Sequence, residues 1–579
     1  MWCVIDIETT GVEIYGADKA QITVLGMYIP ENDKYVQVQT KETFREFLWT
    51  LPRDTKFLYQ NGKFDTSLIF ERWGIDLPID EDTMLLAYVY DMGKRKSLKE
   101  LAERYCGAKN WDVDNKTKMT TSENAERFSA MLAYNRLDCY WTWSVFLELR
   151  TLINAHADRD IMWRLYYSLV IPSYRAYRNI ERRGIQLDVP TLQQRIGQYK
   201  VERDDLENRL ATFKDINFNS TKQLADYFIN ELGLPILERT PTGAPSMGVR
   251  VLETYSEMDN VSTMAKEVVT TLMKFKRVDK DLGTFLEPWL ENADEGGRIH
   301  PQYNIDTVRT GRTSSQRPNL QQVPRDKNLR ALFCAAPGYV LAEADYSQLE
   351  LRVAAHYADD PEMKRIYREG GDIHKNTAAK VNRIPLDQVT KSQRNAAKAI
   401  NFGFLYGMGA KHFGEYAEVS YGAKFTERES VAAREEYFRS YPKLLDWHEK
   451  QRRLARLNGG VYSAWGRFRK LENVHSGDFS LRGADERCAI NTPVQSTGSD
   501  FLVASMVEME LAPESRDMGL RCVGTVHDSM LIEVPEGIEN EGVAYIKGVM
   551  SNPKLADVFG VKLNVELEAD VGVGNWGTK

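Results

Sequence analysis

The chain has 579 residues, 42 % hydrophobic and 27 % charged, which is ordinary for a globular protein of two to four domains and too long for one core. No apolar run approaches the roughly 20 residues that span a bilayer, the N-terminus has Asp6 and Glu8 inside its first apolar run and does not read as a secretory signal, and the scattered cysteines form no CxxC pair, so neither a zinc site nor a disulfide framework is indicated and a cytoplasmic setting is expected. The net charge of −7 argues, as a total, against a nucleic-acid binder.

Totals hide local charge, which is what a phosphate backbone feels. Arg298, Arg309, Arg312, Arg317, Arg325, Lys327 and Arg330 stand against only Asp306 and Asp326, and Lys391, Arg394, Lys398 and Lys411 fall in a stretch with no acid. Solvated faces are the plain alternative for either run.

In chain order, residues 1 to about 155 read as an α/β unit. MWCVIDIETT and residues 20–28 are strand-like, FLYQNGKFD holds a third short strand, and SLKELAERYC and residues 125–152 are helical. Residues 156–290 read as mostly helical, with a charged amphipathic run over 191–213 and a Pro/Gly-rich loop, PTGAPSMG, at 241–248. Residues 298–325 are polar and irregular. YVLAEADYSQLELRVAAHYA is a strand turning into a helix, and 386–457 is mainly helical. The chain closes with short strands and a hairpin, GTVHDSMLIEV, whose polar tip is His527 and Asp528.

DIETTG places Asp6 and Glu8 on one face of a strand. NGKFD puts Asp65 at a loop-to-helix junction, and YNRLD puts Tyr134 and Asp138 on one helical face. Four converging acids repel unless a cation sits between them. Hard divalent ions suit oxygen-only sites, and two of them about 3.5–4 Å apart can hydrolyse a phosphodiester. Taken singly, each acid fits a solvated edge. In this order and spacing they resemble the tyrosine-bearing DEDD group of 3′–5′ proofreading exonucleases. That resemblance implies metal ligation by Asp6, Glu8, Asp65 and Asp138, with Tyr134 orienting the attacking water.

DYSQLELR sets Asp345 at a strand end with Glu350 on the following helix, and the hairpin sets Asp528 at a second strand end. A helix cap and a surface charge are the plain readings of Asp345 and Glu350. In RNAAKAINFGFLYG, Arg394, Lys398, Phe402 and Tyr406 recur every four residues, drifting about 40° per step and so staying near one helical face. Such a face suits a triphosphate and a base better than a core, since cations meet phosphate oxygens and a ring stacks under a base.

Together these stretches resemble motifs A, B and C of the family A DNA polymerases, the group of bacterial DNA polymerase I and many phage replicative enzymes. The resemblance implies a multidomain α/β fold. An RNase H-like exonuclease domain over 1–155 precedes a right-hand polymerase domain over 156–579. Its thumb falls at about 186–295, its palm at about 298–385 and 480–579, and its fingers at about 386–479. Asp345 and Asp528 are implied as the catalytic metal ligands. Arg394, Lys398 and His374 are implied on the triphosphate, Phe402 and Tyr406 against sugar and base, and Glu350 as the gate against a 2′-hydroxyl. Arg312, in TGRTSSQRPNLQQVP, and Arg487, Asn491 and Gln495, four apart on one helical face in RCAINTPVQSTGSD, are implied as primer-template contacts.

Template-directed DNA synthesis with proofreading is therefore expected, using two Mg2+ per site with Mn2+ as substitute, acting on primer-template DNA and dNTPs. A monomer in the cytoplasm, that of the host if phage-encoded, is expected, without membrane association and with helicase-primase or single-strand-binding partners unidentified. The chain departs from the family pattern at Ser529, where Glu is common, and has Phe402 where some phage members have Tyr. No segment before Asp6 could hold a 5′ nuclease, and about 186–290 is short for a processivity-factor insertion. The missing 5′ nuclease, the proofreading motifs and the compact size lean towards a phage replicative enzyme. A single-subunit RNA polymerase, an enzyme serving mainly as exonuclease, and a non-catalytic DNA-binding protein are the alternatives.

Overall fold

The computed structural model describes residues 1–15, 19–109, 111 and 125–577. The chain forms two compact units. One comprises 1–185, 300–322 and 335–579, and the other 186–299 and 323–334.

The first unit begins with a five-stranded sheet. Its strands are β1 (Trp2–Thr9), β2 (Ile22–Ile29), β3 (Lys34–Val38), β4 (Lys56–Tyr59) and β5 (Glu81–Asp82), in the order β3-β2-β1-β4-β5. β1 runs antiparallel to β2 and parallel to β4. Along β1 the alternation of side chains buries Ile5 and Ile7 and turns Asp6 and Glu8 to the opposite face. Helix α1 (Gly62–Trp73) leaves β4 through Asn61, whose φ is 65°. Gly62 is needed there, because a Cβ would lie 2.5 Å from the Tyr59 side chain. Helix α2 (Ala125–Ala155) packs against β1 and β2, and α3 (Ile171–Arg183) packs against α1.

Further along the same unit, β6 (Gln302–Asn304) pairs with β7 (Ser314–Gln316). A four-stranded antiparallel sheet then combines β8 (Tyr339–Tyr346), β9 (Arg521–Val526), β10 (Ser529–Pro535) and β11 (Ala569–Val573), in the order β9-β10-β8-β11. The helices used below are α4 (Leu349–Ala358), α5 (Ile373–Asn382), α6 (Lys391–Leu405) and α7 (Phe479–Leu511). The second unit is mainly helical around its own core, which includes Leu210, Phe228, Tyr255, Val268 and Leu272.

Three elements differ from expectation. β3 and β5 are additional to the three strands read from the sequence, since KYVQV is a five-residue run between polar flanks and β5 has two residues. Arg487, Asn491 and Gln495 lie on a helix as expected, but where short strands were expected around them α7 runs for 33 residues with Pro493 inside it. Between Ala489 and Glu510 it is buried almost all round, so no single apolar stripe marks it as a helix. No described helix is long and apolar enough to cross a membrane.

Candidate active sites

At the first site, Asp6, Glu8 and Asp138 each offer a carboxylate oxygen, and these oxygens lie within 4.8 Å of one another. β1 supplies two of them and α2 the third. Asp65 lies against the same strand, β1. It is buried in the first turn of α1, and its Oδ1 accepts the N–H of Ile7 on β1 at 3.2 Å. Burial pushes its carboxyl well above the usual range, and the nearby charges of Asp82 and Glu8 add to the effect, against hydrogen bonds from backbone N–H groups. Tyr134 lies on α2 one turn before Asp138. Trp111 donates Nε1–H to Asp138 Oδ1 at 3.0 Å.

At the second site, the β8–β10 register sets Asp345 opposite Ser529, directly after Asp528. The N–H of Tyr346 reaches the Asp528 carbonyl at 3.4 Å. On its other side Asp345 is opposite Asp570 of β11. The hairpin turns through His527 and Asp528 alone, and His527 has φ 55°. A two-residue turn with that backbone normally takes glycine, so the tip holds strain of the kind stored at functional positions. Ser529 donates its hydroxyl to the Val526 carbonyl at 2.8 Å, and Thr525 donates its own to the Ser529 carbonyl at 2.9 Å. A cavity of about 240 Å³ beside the tip is lined by Arg312, Thr313, Gln321, Ser499, His527 and Asp528, among others.

Glu350, in the first turn of α4, is gripped at both oxygens: Arg312 Nη2 binds Oε1 and the Tyr406 hydroxyl donates to Oε2. Burial raises its carboxyl; Arg312 opposes, the Asp528 charge adds, and the Tyr406 hydrogen bond opposes. Arg394, Lys398, Phe402 and Tyr406 are all half-buried along α6 and its C-terminal end. Arg394 is paired with Asp372, at 2.7 Å from Nε and 2.6 Å from Nη2. Asp372 also caps α5, accepting from the N–H of Lys375 at 3.0 Å. Two residues after Asp372, His374 on α5 is buried and lies with its ring centroid 5.9 Å from that of Phe402. Its Nδ1 accepts from Asn401 Nδ2 at 2.9 Å, while Asn401 Oδ1 accepts from the Thr377 hydroxyl at 2.9 Å. That network assigns the ring proton to Nε2. Burial lowers His374 to about 4, so the ring is neutral at pH 7. On α7, Arg487 is exposed, Asn491 and Gln495 are half-buried, and Asn491 Oδ1 is buried without a hydrogen-bond partner among the described residues.

Comparison with known proteins matches residues 189–578 to DNA polymerase family A and residues 4–154 to a 3′-5′ exonuclease. The chain belongs to DNA polymerase family A. The thermostable DNA polymerase I of Thermus thermophilus is 33 % identical over 519 residues, covering 88 % of this chain and 56 % of that protein. DNA polymerase I of Pseudomonas aeruginosa is 30 % identical over 602 residues, covering 99 % of this chain and 63 % of that protein. The chain thus spans less than two thirds of the length of these relatives. The solved POL domain of Pol1 from M. smegmatis, in complex with DNA primer-template and dNTP, shares the fold. Its TM-score is 0.83 at 24 % identity, over 99 % of this chain and 95 % of that one. The fold is accordingly a multidomain α/β arrangement, with an N-terminal exonuclease domain before a family A polymerase domain.

In this family A chain the sequence pointed to the charged and aromatic groups but not to the amides behind them. Asn401 and Asn135 are not singled out in the sequence. Asn401 sets the His374 tautomer, and Asn135 contacts Asp6. Only their placement one residue from a candidate group, or one helical turn from it, could have singled them out.

Proposed function

We propose that the chain is a DNA-dependent DNA polymerase that extends a primer 3′ end with dNTPs and proofreads it at a separate 3′–5′ exonuclease site. The observation that supports this best is the register that sets Asp345 beside the hairpin tip with Asp528, next to the Arg312–Glu350–Tyr406 cluster. Residues 1–155 would form the exonuclease domain and 156–579 the polymerase domain, with thumb, palm and fingers over the ranges given above.

Asp6, Glu8 and Asp138 form a donor set of carboxylate oxygens only, which fits a hard divalent ion, Mg2+ with Mn2+ as substitute. Asp65 would join them once a cation offsets its burial, and Asp345 and Asp528 would hold the ions of the polymerase site. When bound, such ions supply charge to phosphate oxygens and acidify the attacking hydroxyl or water. In synthesis the primer 3′-hydroxyl attacks the α-phosphorus and pyrophosphate leaves.

Arg394 and Lys398 neutralise the triphosphate, Arg394 exchanging Asp372 for phosphate oxygens. His374 donates Nε2–H from a neutral ring. Phe402 packs on the sugar, Tyr406 lies at the base, and Glu350 fills the space of a 2′-hydroxyl. Arg312, Arg487, Asn491 and Gln495 hold the primer-template, largely without regard to sequence. At the exonuclease site Tyr134 orients the water that attacks a frayed 3′ end. Positioning and electrostatics supply most of the rate. The setting we propose is phage DNA replication in the host cytoplasm by a monomer working with helicase-primase and single-strand-binding proteins. The presence of both candidate sites on one chain supports a replicative role.

The test uses a 5′-labelled primer on a single-stranded template with Mg2+. The primer lengthens with dNTPs and shortens without them. Equal use of rNTPs would favour an RNA polymerase, and loss of both reactions would contradict the proposal.

A further inference from the structure

Asp6 is held from behind by a chain of side chains that the chemistry above does not use. Asn135, fully buried on α2, donates Nδ2–H to Asp6 Oδ2 at 2.7 Å and to the Asp6 carbonyl at 3.2 Å. Its Oδ1 accepts from the Tyr35 hydroxyl at 2.5 Å. That hydroxyl accepts from Gln37 Nε2 at 2.7 Å, and the same nitrogen donates to the Leu132 carbonyl at 2.9 Å.

Each link fixes the direction of the next. The Gln37 nitrogen can only donate, so Tyr35 turns its own proton to Asn135 Oδ1. An amide that accepts at Oδ1 presents Nδ2–H on its other side, where both acceptors belong to Asp6. Gly26, opposite Asp6 in the β1–β2 register, makes the room. A Cβ there would lie 1.8 Å from Asn135 Oδ1 and 2.8 Å from the Tyr35 hydroxyl oxygen.

We propose that Asn135 is a positioning residue of the exonuclease site, with Tyr35 and Gln37 acting through it. The relay fixes the rotation of the Asp6 carboxylate and so sets the affinity of the site for its divalent ion. This rests on Asp6, Glu8 and Asp138 being a metal site. Outer partners of metal ligands generally change metal affinity by about 10–100-fold when removed.

The experiment titrates Mn2+ into the full chain and follows free ion by electron paramagnetic resonance. Wild type is compared with Asp6→Ala, Asn135→Ala, Tyr35→Phe and the Asn135→Ala/Tyr35→Phe double variant, with primer extension as the measure of folding. Asp6→Ala should remove one class of bound Mn2+. Asn135→Ala should weaken that class by roughly tenfold or more, Tyr35→Phe should weaken it less, and the double variant should match Asn135→Ala. Wild-type Mn2+ affinity in Asn135→Ala, or additive losses in the double variant, would overturn the relay. If Asn135→Ala also loses primer extension, Tyr35→Phe decides alone, and unchanged affinity there overturns it. Unchanged Mn2+ binding in Asp6→Ala would instead remove the metal-site reading on which the relay rests.

Discussion

The ammonium of Lys63 is buried against the carboxylate of Glu181. Lys63 stands two residues before Asp65, and Glu181 lies on α3. The Tyr303 carbonyl accepts from the same ammonium, and the Tyr303 N–H donates to Glu181 Oε1 at 2.5 Å. The Tyr303 hydroxyl in turn accepts the N–H of Thr525 at 3.1 Å, on the strand that leads to Asp528. Hydrogen bonds therefore link the neighbourhoods of the two carboxylate sites through one tyrosine.

Lys63→Met should leave the Glu181 carboxylate buried without its cation. Breaking a buried pair from one side costs about 3–5 kcal/mol, whereas replacing both partners by apolar groups is often close to neutral. Urea denaturation should show that loss for Lys63→Met and a substantial recovery for Lys63→Met/Glu181→Met. Equal stability of the single variant and wild type would mean that the pair contributes little.

Glu350→Ala should release Arg312 and Tyr406 and open the space beside the incoming sugar. The ratio of kcat/KM for dNTP over rNTP should fall by roughly tenfold or more, about 1.4 kcal/mol in transition-state discrimination. Single-nucleotide incorporation measures it. An unchanged ratio would remove Glu350 from the role of gate.

His374 carries a pH signature. Its folded value of about 4 lies below the ordinary imidazole value of 6.5, chiefly through burial, with Arg394 and Lys398 adding and Asp372 opposing. Between these values the unfolded ring binds a proton that the folded ring does not. Its contribution is therefore full above about 6.5 and is lost as pH falls towards about 4. His448, also lowered to about 4, acts in the same direction. Asp82 and Asp500, raised to about 6, act in the opposite one. All three are common to wild type and His374→Gln, so the difference between the two proteins isolates His374. That difference should shrink between about pH 7 and about pH 5 in urea denaturation. A constant difference would contradict a neutral buried ring.

The groups that chemistry exposes were legible in the sequence. Asp6 and Glu8 lie on one strand face, Asp345 and Asp528 at strand ends, and the Arg394–Tyr406 stripe along one helix, because periods of 2 and 3.6 place side chains directly. What the sequence hides is set by long-range packing. Glu181 meets Lys63 across more than a hundred residues of chain. Asn135 needs Gly26 opposite Asp6 and Tyr35 on β3, a five-residue edge strand between polar flanks. α7 lacks an apolar stripe because nearly every face of its second half is buried.

Gly26→Ala should drive a methyl into Asn135 and Tyr35. Overpacking of this kind costs about 1–3 kcal/mol. Excision of a single-stranded 3′ end should fall by roughly tenfold or more, as Asp6 loses the partner that orients it, while primer extension persists. Equal loss of both reactions would mean that the change unfolds the domain.

The most direct test of two separate centres compares wild type, Asp528→Ala and Asp6→Ala on a primed single-stranded template with Mg2+, with and without dNTPs. The account predicts that wild type extends with dNTPs and degrades without them, that Asp528→Ala only degrades, and that Asp6→Ala only extends. Normal extension by Asp528→Ala would contradict it and reduce the hairpin tip to an ordinary turn.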